Sequence, residues 1–229
     1  MRIAVLIAAS VLVGGCSQGV GGDAEQRSPP PQAPPKTTAS PPSTTTPTTT
    51  TPPKPPQPGA AIADVITFVE SGQAVDVAPF HTATRDGVAT QLGPDVAFTT
   101  PSGKSQCMTD STNFGGALAC LVDLTVPPLQ PPDIYGQWKG GWVDFAGPSV
   151  EIGSVHGDPG RFSSGKGPQL PYGQTLAFSD YRCRSDAAGL YCVNYANQSA
   201  ARFSDAGVVA FGCLQKVPPP AGIGEKYSC

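Results

Sequence analysis

Charge is scarce in this chain: Asp, Glu, Lys and Arg make up 14 % of its 229 residues, and no Lys/Arg cluster occurs. Nucleic-acid binding and polybasic attachment to a membrane surface both need such a cluster, so neither is expected. The formal charge is −3, and loss of Arg2 with the leader described next would make it −4. Aromatic residues are also few, at 7 %. The two histidines, His81 and His156, lie far apart and without Cys, Asp or Glu at ligand spacing, so no metal and no cofactor is expected. No apolar run reaches the roughly 20 residues that a membrane helix needs. What is abundant is Pro and Gly, 27 of each, which points to a loop-rich β structure rather than a helical bundle.

Met1 and Arg2 form a short positive start, and residues 3–13 are apolar except for Ser10. This reads as a signal peptide over residues 1–15. Leu12-Val13-Gly14-Gly15-Cys16 resembles a bacterial lipobox, in which the cysteine receives a diacylglycerol group and becomes the new N-terminus. Cys16 is therefore the expected lipidation site, and the expected location is the outer face of the cytoplasmic membrane. Residues 16–59 form a linker. Between Ser28 and Pro58 it holds 13 Pro and 9 Thr in 31 residues, with almost nothing to bury. Polyproline geometry, at about 3.1 Å per residue, gives it a reach of up to ~100 Å. Threonine runs such as Thr48 to Thr51 are suited to O-glycosylation, and a bare linker fits them as well.

Residues 60–229 are expected to form one disulfide-braced, mainly β domain, an antiparallel sandwich or barrel with one short N-terminal helix. Asp64 is placed to cap that helix, whose apolar positions Val65, Ile66, Phe68 and Val69 end at Gly72. Strands are expected at Asp95 to Thr100, Lys104 to Thr109, Ala117 to Thr125, Trp138 to Ala146, Ser149 to His156, Gln174 to Ser179, Leu190 to Tyr195, Ala201 to Ser204 and Val208 to Gly212. The strand through Leu118, Cys120 and Val122 should be half-buried. Alternation in Tyr181-Arg182-Cys183-Arg184 should point the arginines outward. After Pro218-Pro219-Pro220 the chain reads as a tail ending on Cys229.

Six downstream cysteines allow 15 disulfide connectivities. Nearest-neighbour pairing is expected: Cys107 with Cys120 and Cys183 with Cys192 across hairpins, and Cys213 with Cys229 clamping the tail. Phe98-Thr99-Thr100-Pro101-Ser102-Gly103, Leu170-Pro171-Tyr172-Gly173-Gln174 and the first two cysteine pairs resemble a secreted β domain common in actinobacterial lipoproteins. With the lipobox and stalk, nearly the whole chain resembles lipoproteins of the mycobacterial envelope. The resemblance implies display outside the membrane and brings no catalytic residue with it. A middle cysteine pair of the wider pattern is missing, and Trp138 and Trp142 occupy that region.

Several residues are candidates for chemistry. His156 beside Asp158, with Ser154, Ser163 and Ser164 nearby, is the best arrangement for a hydrolase, although a capped turn at Asp158-Pro159 explains it more simply. Gly160 to Gly167 nearly spells a phosphate-binding loop, but Gly167 stands where a hydroxyl must reach magnesium. Asp144 and Glu151 could face each other across a hairpin as a glycosidase pair does, and solvated charges are the plainer reading. Trp138, Trp142, Tyr135, Phe145 and Tyr172 could build a sugar- or peptide-binding platform, with core packing as the plainer use of the tryptophans. Val126 to Pro132 reads as a polyproline ligand or a strand connection. The expected function is a non-catalytic binding or scaffolding module meeting an envelope protein, a glycan or a host component. The alternatives are an envelope hydrolase using His156 and Asp158, or a lipid carrier.

Overall fold

The computed structural model describes residues 53–157 and 159–229. The leader, Cys16, the stalk up to residue 52, and Asp158 lie outside the described residues. In chain order the elements are helix α1 (Ile62–Glu70), β1 (Gln73–Ala74), β2 (Thr82–Arg85), β3 (Val88–Gln91), β4 (Ala97–Thr99), β5 (Ser105–Met108), a single-turn α2 (Ser111–Phe114), β6 (Leu118–Val122) and β7 (Trp138–Phe145). Then follow β8 (Ser149–Val155), β9 (Gln174–Phe178), β10 (Tyr181–Asp186), β11 (Gly189–Asn194), β12 (Ser199–Ser204), β13 (Gly207–Gly212), β14 (Gln215–Val217) and β15 (Ile223–Ser228). Single 3₁₀ turns occur at Ala78–His81 and Gly160–Ser164.

Two sheets face each other and neither closes into a barrel. One has the order β1-β9-β10-β11-β12-β13, the other β14-β15-β8-β7-β6-β5-β4, while β2 and β3 form a separate hairpin. Each sheet is built on a five-strand meander, β4 to β8 and β9 to β13, and each meander carries a cysteine pair on its second and third strands. The inward rows correspond. Phe98, Cys107, Cys120, Val143 and Ile152 lie side by side in one sheet, and Leu176, Cys183, Cys192, Ala201 and Ala210 in the other. Both rows enter one core, so the domain is a duplicated supersecondary unit folded onto itself. That repetition is hidden in the sequence because the turns between the strands differ in length.

The disulfides join the expected partners: Cys107–Cys120, Cys183–Cys192 and Cys213–Cys229. The first two bridge residues directly opposite in the antiparallel ladders, where non-hydrogen-bonded pairs bring Cα atoms closest. Their cysteines are fully buried, whereas Cys213 and Cys229 are exposed.

Several expectations fail because the outer faces of the sheets are covered. Helix α1 begins at Ile62 with Ala61 before it, so Asp64 sits in the first turn, where its charge favours the helix dipole, and caps nothing. Val65, Phe68 and Val69, spaced for one helical face, pack on Tyr191, Val193 and Ala200 of the first sheet. Arg184 lies under that helix instead of pointing to solvent. Its Nη1 donates to the Phe68 carbonyl at 2.6 Å, closing the helix C-terminus, and its guanidinium lies 4.0 Å from the Phe68 ring centre. Pro56, still in the linker by sequence, is buried, and its carbonyl accepts a hydrogen bond from Tyr191 Oη.

The other sheet is covered too. Ala119, on the outward side of β6, is buried with Ala83, Ala97, Met108, Trp142 and Phe162, so β6 is covered on both faces rather than one. The expected tail is ordered instead: β15 pairs with β8 and turns back onto β14. Its Ile-Gly-Glu-Lys-Tyr-Ser sequence shows little alternation, and all six residues are half-buried although the strand is paired on both sides.

Candidate functional site

β7 places Val143 and Phe145 inward and Trp142 and Asp144 outward, as a two-residue period demands. Trp142 is nonetheless 1 % exposed. The crossover from β8 to β9 closes over it, with the His156 ring stacked at 3.5 Å between centroids and the Phe162 ring edge-on at 5.2 Å. Trp142 Nε1 donates to Asp144 Oδ2 at 2.9 Å. Arg161, descending from the crossover, brings its Nη1 to 3.0 Å from Asp144 Oδ1 as an ion pair, and its guanidinium covers the Phe114 ring at 3.6 Å. The angles fall short of a hydrogen bond, so Asp144 Oδ1 and Arg161 Nη1 and Nε are buried without one. Burial raises the Asp144 carboxyl above its ordinary range, opposed by Arg161 and the Trp142 N–H. These contacts clamp the crossover to the sheet.

His156 Nε2 and Ser154 Oγ lie 2.6 Å apart, the one contact of a Ser-His pair that the structure shows. Burial, reinforced by the positive charges of Arg161 and Lys139, pushes the His156 imidazole down to about 4. A base so weak holds little driving force for taking a serine proton near neutrality. Asp158, the carboxylate expected beside it, lies outside the described residues. Ser163 and Ser164 belong to the 3₁₀ turn, where the Ser163 carbonyl accepts from Arg85.

Because His156 is neutral when folded and more basic when unfolded, the unfolded chain binds the extra proton. Stability is therefore full above pH 6.5 and falls as pH drops from 6.5 toward 4. Ser154, Trp142, Arg161 and Lys139 surround the ring, so protonation adds a third positive charge beside Arg161 and Lys139. In a Trp138→Phe background, fluorescence of Trp142 is expected to fall on acidification with a midpoint near 4, and His156→Phe should abolish that step. A midpoint at 6.5 would show an unstacked, solvated imidazole.

The remaining candidates separate. His81 Nδ1 lies 2.8 Å from the Asp95 carbonyl oxygen, and among the described residues no group of three His, Cys, Asp or Glu is placed to hold a metal. Asp144 and Glu151 are direct cross-strand partners, and each has its own cation: Arg161 for the first, Lys226 at 2.7 Å for the second. In the near-phosphate loop, a Cβ at Gly167 would lie 1.9 Å from the Ala97 carbonyl oxygen, so glycine is required there by backbone approach to β4.

The aromatic platform does not assemble. Trp142 and Phe145 are core, Trp138 is half-buried with its Nε1 donating to the Pro128 carbonyl at 2.9 Å, and Tyr135 is 89 % exposed. The Val126 to Pro132 segment is a strap in which Pro128 lies against Gly140, Gly153 and Gly224, leaving Val126 and Leu129 in solvent. Tyr172, half exposed, borders a cavity.

That cavity, about 180 Å³, opens at one end of the sandwich between the sheets. Ser102 and Lys104 reach it from the β4–β5 turn, Asp186 from the β10–β11 turn, Ser204 and Asp205 from the β12–β13 turn, and Tyr172 from the lead into β9. A 2.8 Å main-chain bond from Asp123 to Lys104 extends the β5–β6 ladder, while one from Thr125 to Asp205 at 2.8 Å and an ion pair of Lys104 with Asp205 hold the two sheets together there. The pair raises the Lys104 pKa and lowers that of Asp205, each charge favouring the other. Three turns and the lead into β9 supply this site, so no spacing in the sequence could reveal it, and only Tyr172 stood out beforehand. Comparison of the chain with protein-family models, with curated proteins and with solved structures finds no match.

Proposed function

We propose that this chain is a membrane-anchored envelope lipoprotein of the kind found in mycobacteria, and that its domain is a non-catalytic binding module whose site is the cavity at the sandwich end. The lipobox, the Pro/Thr linker and the six cysteines support export and tethering. One observation carries the binding reading. Turns from both sheets, braced by core disulfides and cross-sheet hydrogen bonds, meet around a polar cavity with a half-exposed tyrosine at its rim. Such convergence of rigidly held polar groups on an open depression is how binding loops are carried on a fixed scaffold.

Envelope hydrolysis draws only on the Ser154–His156 contact, and neither residue lines the cavity at the sandwich end. Lipid carriage would need a deep apolar interior, whereas Phe98, Leu118, Phe145, Leu176 and Phe203 pack together in the core between the sheets. A photo-reactive side chain at Ala187, on the wall of the cavity, is expected to form adducts with an envelope component in living cells. The same group at exposed Val88 should form none. Equal labelling from both positions, or none from Ala187, would remove the cavity as the binding site.

A further inference from the structure

The cavity at the sandwich end is chemically selective. Its floor is apolar, formed by buried Leu190 and Phe203. Its polar groups are held by short local bonds: Thr100 Oγ1 and Ser102 Oγ are 3.1 Å apart, Ala188 N donates to Asp186 Oδ1 at 2.9 Å, and Ser204 Oγ donates to the Gly207 carbonyl at 3.1 Å. These bonds leave capacity unused. Among the described residues Asp186 Oδ2 and the Tyr172 hydroxyl make no hydrogen bond, and Lys104 spends one of its three donors on Asp205.

Charge narrows the ligand. Asp186 and Asp205 outnumber Lys104, so the site carries one excess negative charge and disfavours phosphates and carboxylates. Size narrows it further, since 180 Å³ falls below the roughly 300–1,000 Å³ of sites that enclose drug-sized ligands. One ring-sized unit fits, with the rest of a longer molecule outside. A neutral unit must then offer hydroxyl donors to a free carboxylate oxygen, hydroxyl acceptors to an ammonium, and an apolar face to a tyrosine ring. A sugar ring has all three.

We propose that this cavity binds a neutral saccharide unit of a larger glycan, with Asp186 accepting from ring hydroxyls, Lys104 donating to a neighbouring oxygen, and Tyr172 covering the C–H face of the ring. The proposal rests on the binding-module reading and specifies its ligand.

The test applies the full chain, purified in detergent, to an array of neutral, amino and acidic saccharides, once with EDTA and once with calcium. Retention on neutral glycans is expected in both conditions. Asp186→Asn should weaken it about tenfold, because a charge-assisted bond becomes a neutral one. Tyr172→Ala should weaken it about fivefold, and Val88→Ala, on the separate β2–β3 hairpin, should leave it unchanged. Circular dichroism and intact cysteine pairing in each variant establish that the fold is kept. Retention of acidic glycans alone, retention that requires calcium, or retention undiminished in both cavity variants would overturn the proposal. An empty array with Ala187 adducts still forming in cells would defeat the saccharide assignment and leave the binding module standing, whereas loss of both would defeat both.

Discussion

Cys16→Ala is expected to move the chain from the membrane pellet to the soluble fraction almost completely. The diacylglyceryl group proposed for that thiol would bury on the order of 30 methylenes at about 0.8 kcal/mol each, a total on the order of 20 kcal/mol, whereas one short acyl chain anchors only marginally. Among the described residues no helix is long and apolar enough to cross a membrane, so the described domain offers no helical substitute for that anchor. Fractionation of wild type and variant measures the effect, and mass spectrometry of the N-terminal peptide identifies its cause. The wild-type peptide should start at Cys16 and carry the lipid mass. A variant that still sediments after cleavage of its leader, or a wild-type chain still beginning at Met1, would end the lipoprotein reading.

The second large effect lies in the core. Replacing Cys183 and Cys192 together by alanine is expected to destabilise the domain by about 3 kcal/mol from restored chain entropy alone, since the bridge closes a loop spanning 9 positions. Loss of the buried sulfur atoms adds to that cost. Cys107 and Cys120, separated by 13 positions and equally buried, should behave alike. Against a typical total of about 5–15 kcal/mol, losing both pairs leaves little or no folded domain. The exposed Cys213–Cys229 bridge clamps an edge hairpin and should cost less than either core pair. Reductant should open it first, because access limits thiol exchange at the other two. Denaturant titrations of the three double variants, with mass mapping of alkylated cysteines during reduction, give both orders. Earlier reduction of a core bridge, or a greater loss of stability on removing the C-terminal one, would contradict this ranking.

Legibility varied with how local the cause was. The hairpin about Gly147-Pro148, the turn at Asp186 to Gly189 and the two core disulfides could be read from turn chemistry and alternation, because neighbours in sequence are neighbours in the ladder. Arg184 could not. Alternation predicted solvent on its side of β10, and only the docking of α1 there turned it into the cap of a helix more than 100 residues away. Trp142 failed as a platform residue for a similar reason: the long crossover folds back and seals it under His156 and Phe162. β15 left no readable pattern because all six of its residues are half-buried, so neither face shows the one-sided burial that alternation reports.

The residues alone pointed to a mainly β domain, to several of its hairpin turns and to nearest-neighbour cysteine pairs, since each depends on side-chain period or short loops. They also carry the lipobox-like and Pro/Thr-rich segments from which an anchor and a stalk are proposed, which are matters of local composition. Tertiary structure decided that two similar meanders stack as a sandwich, that both outer faces are partly covered, and that Lys104, Tyr172, Asp186 and Asp205 share one cavity. Those outcomes arise from contacts between segments distant in the chain, and distance across a fold leaves no periodic trace along it.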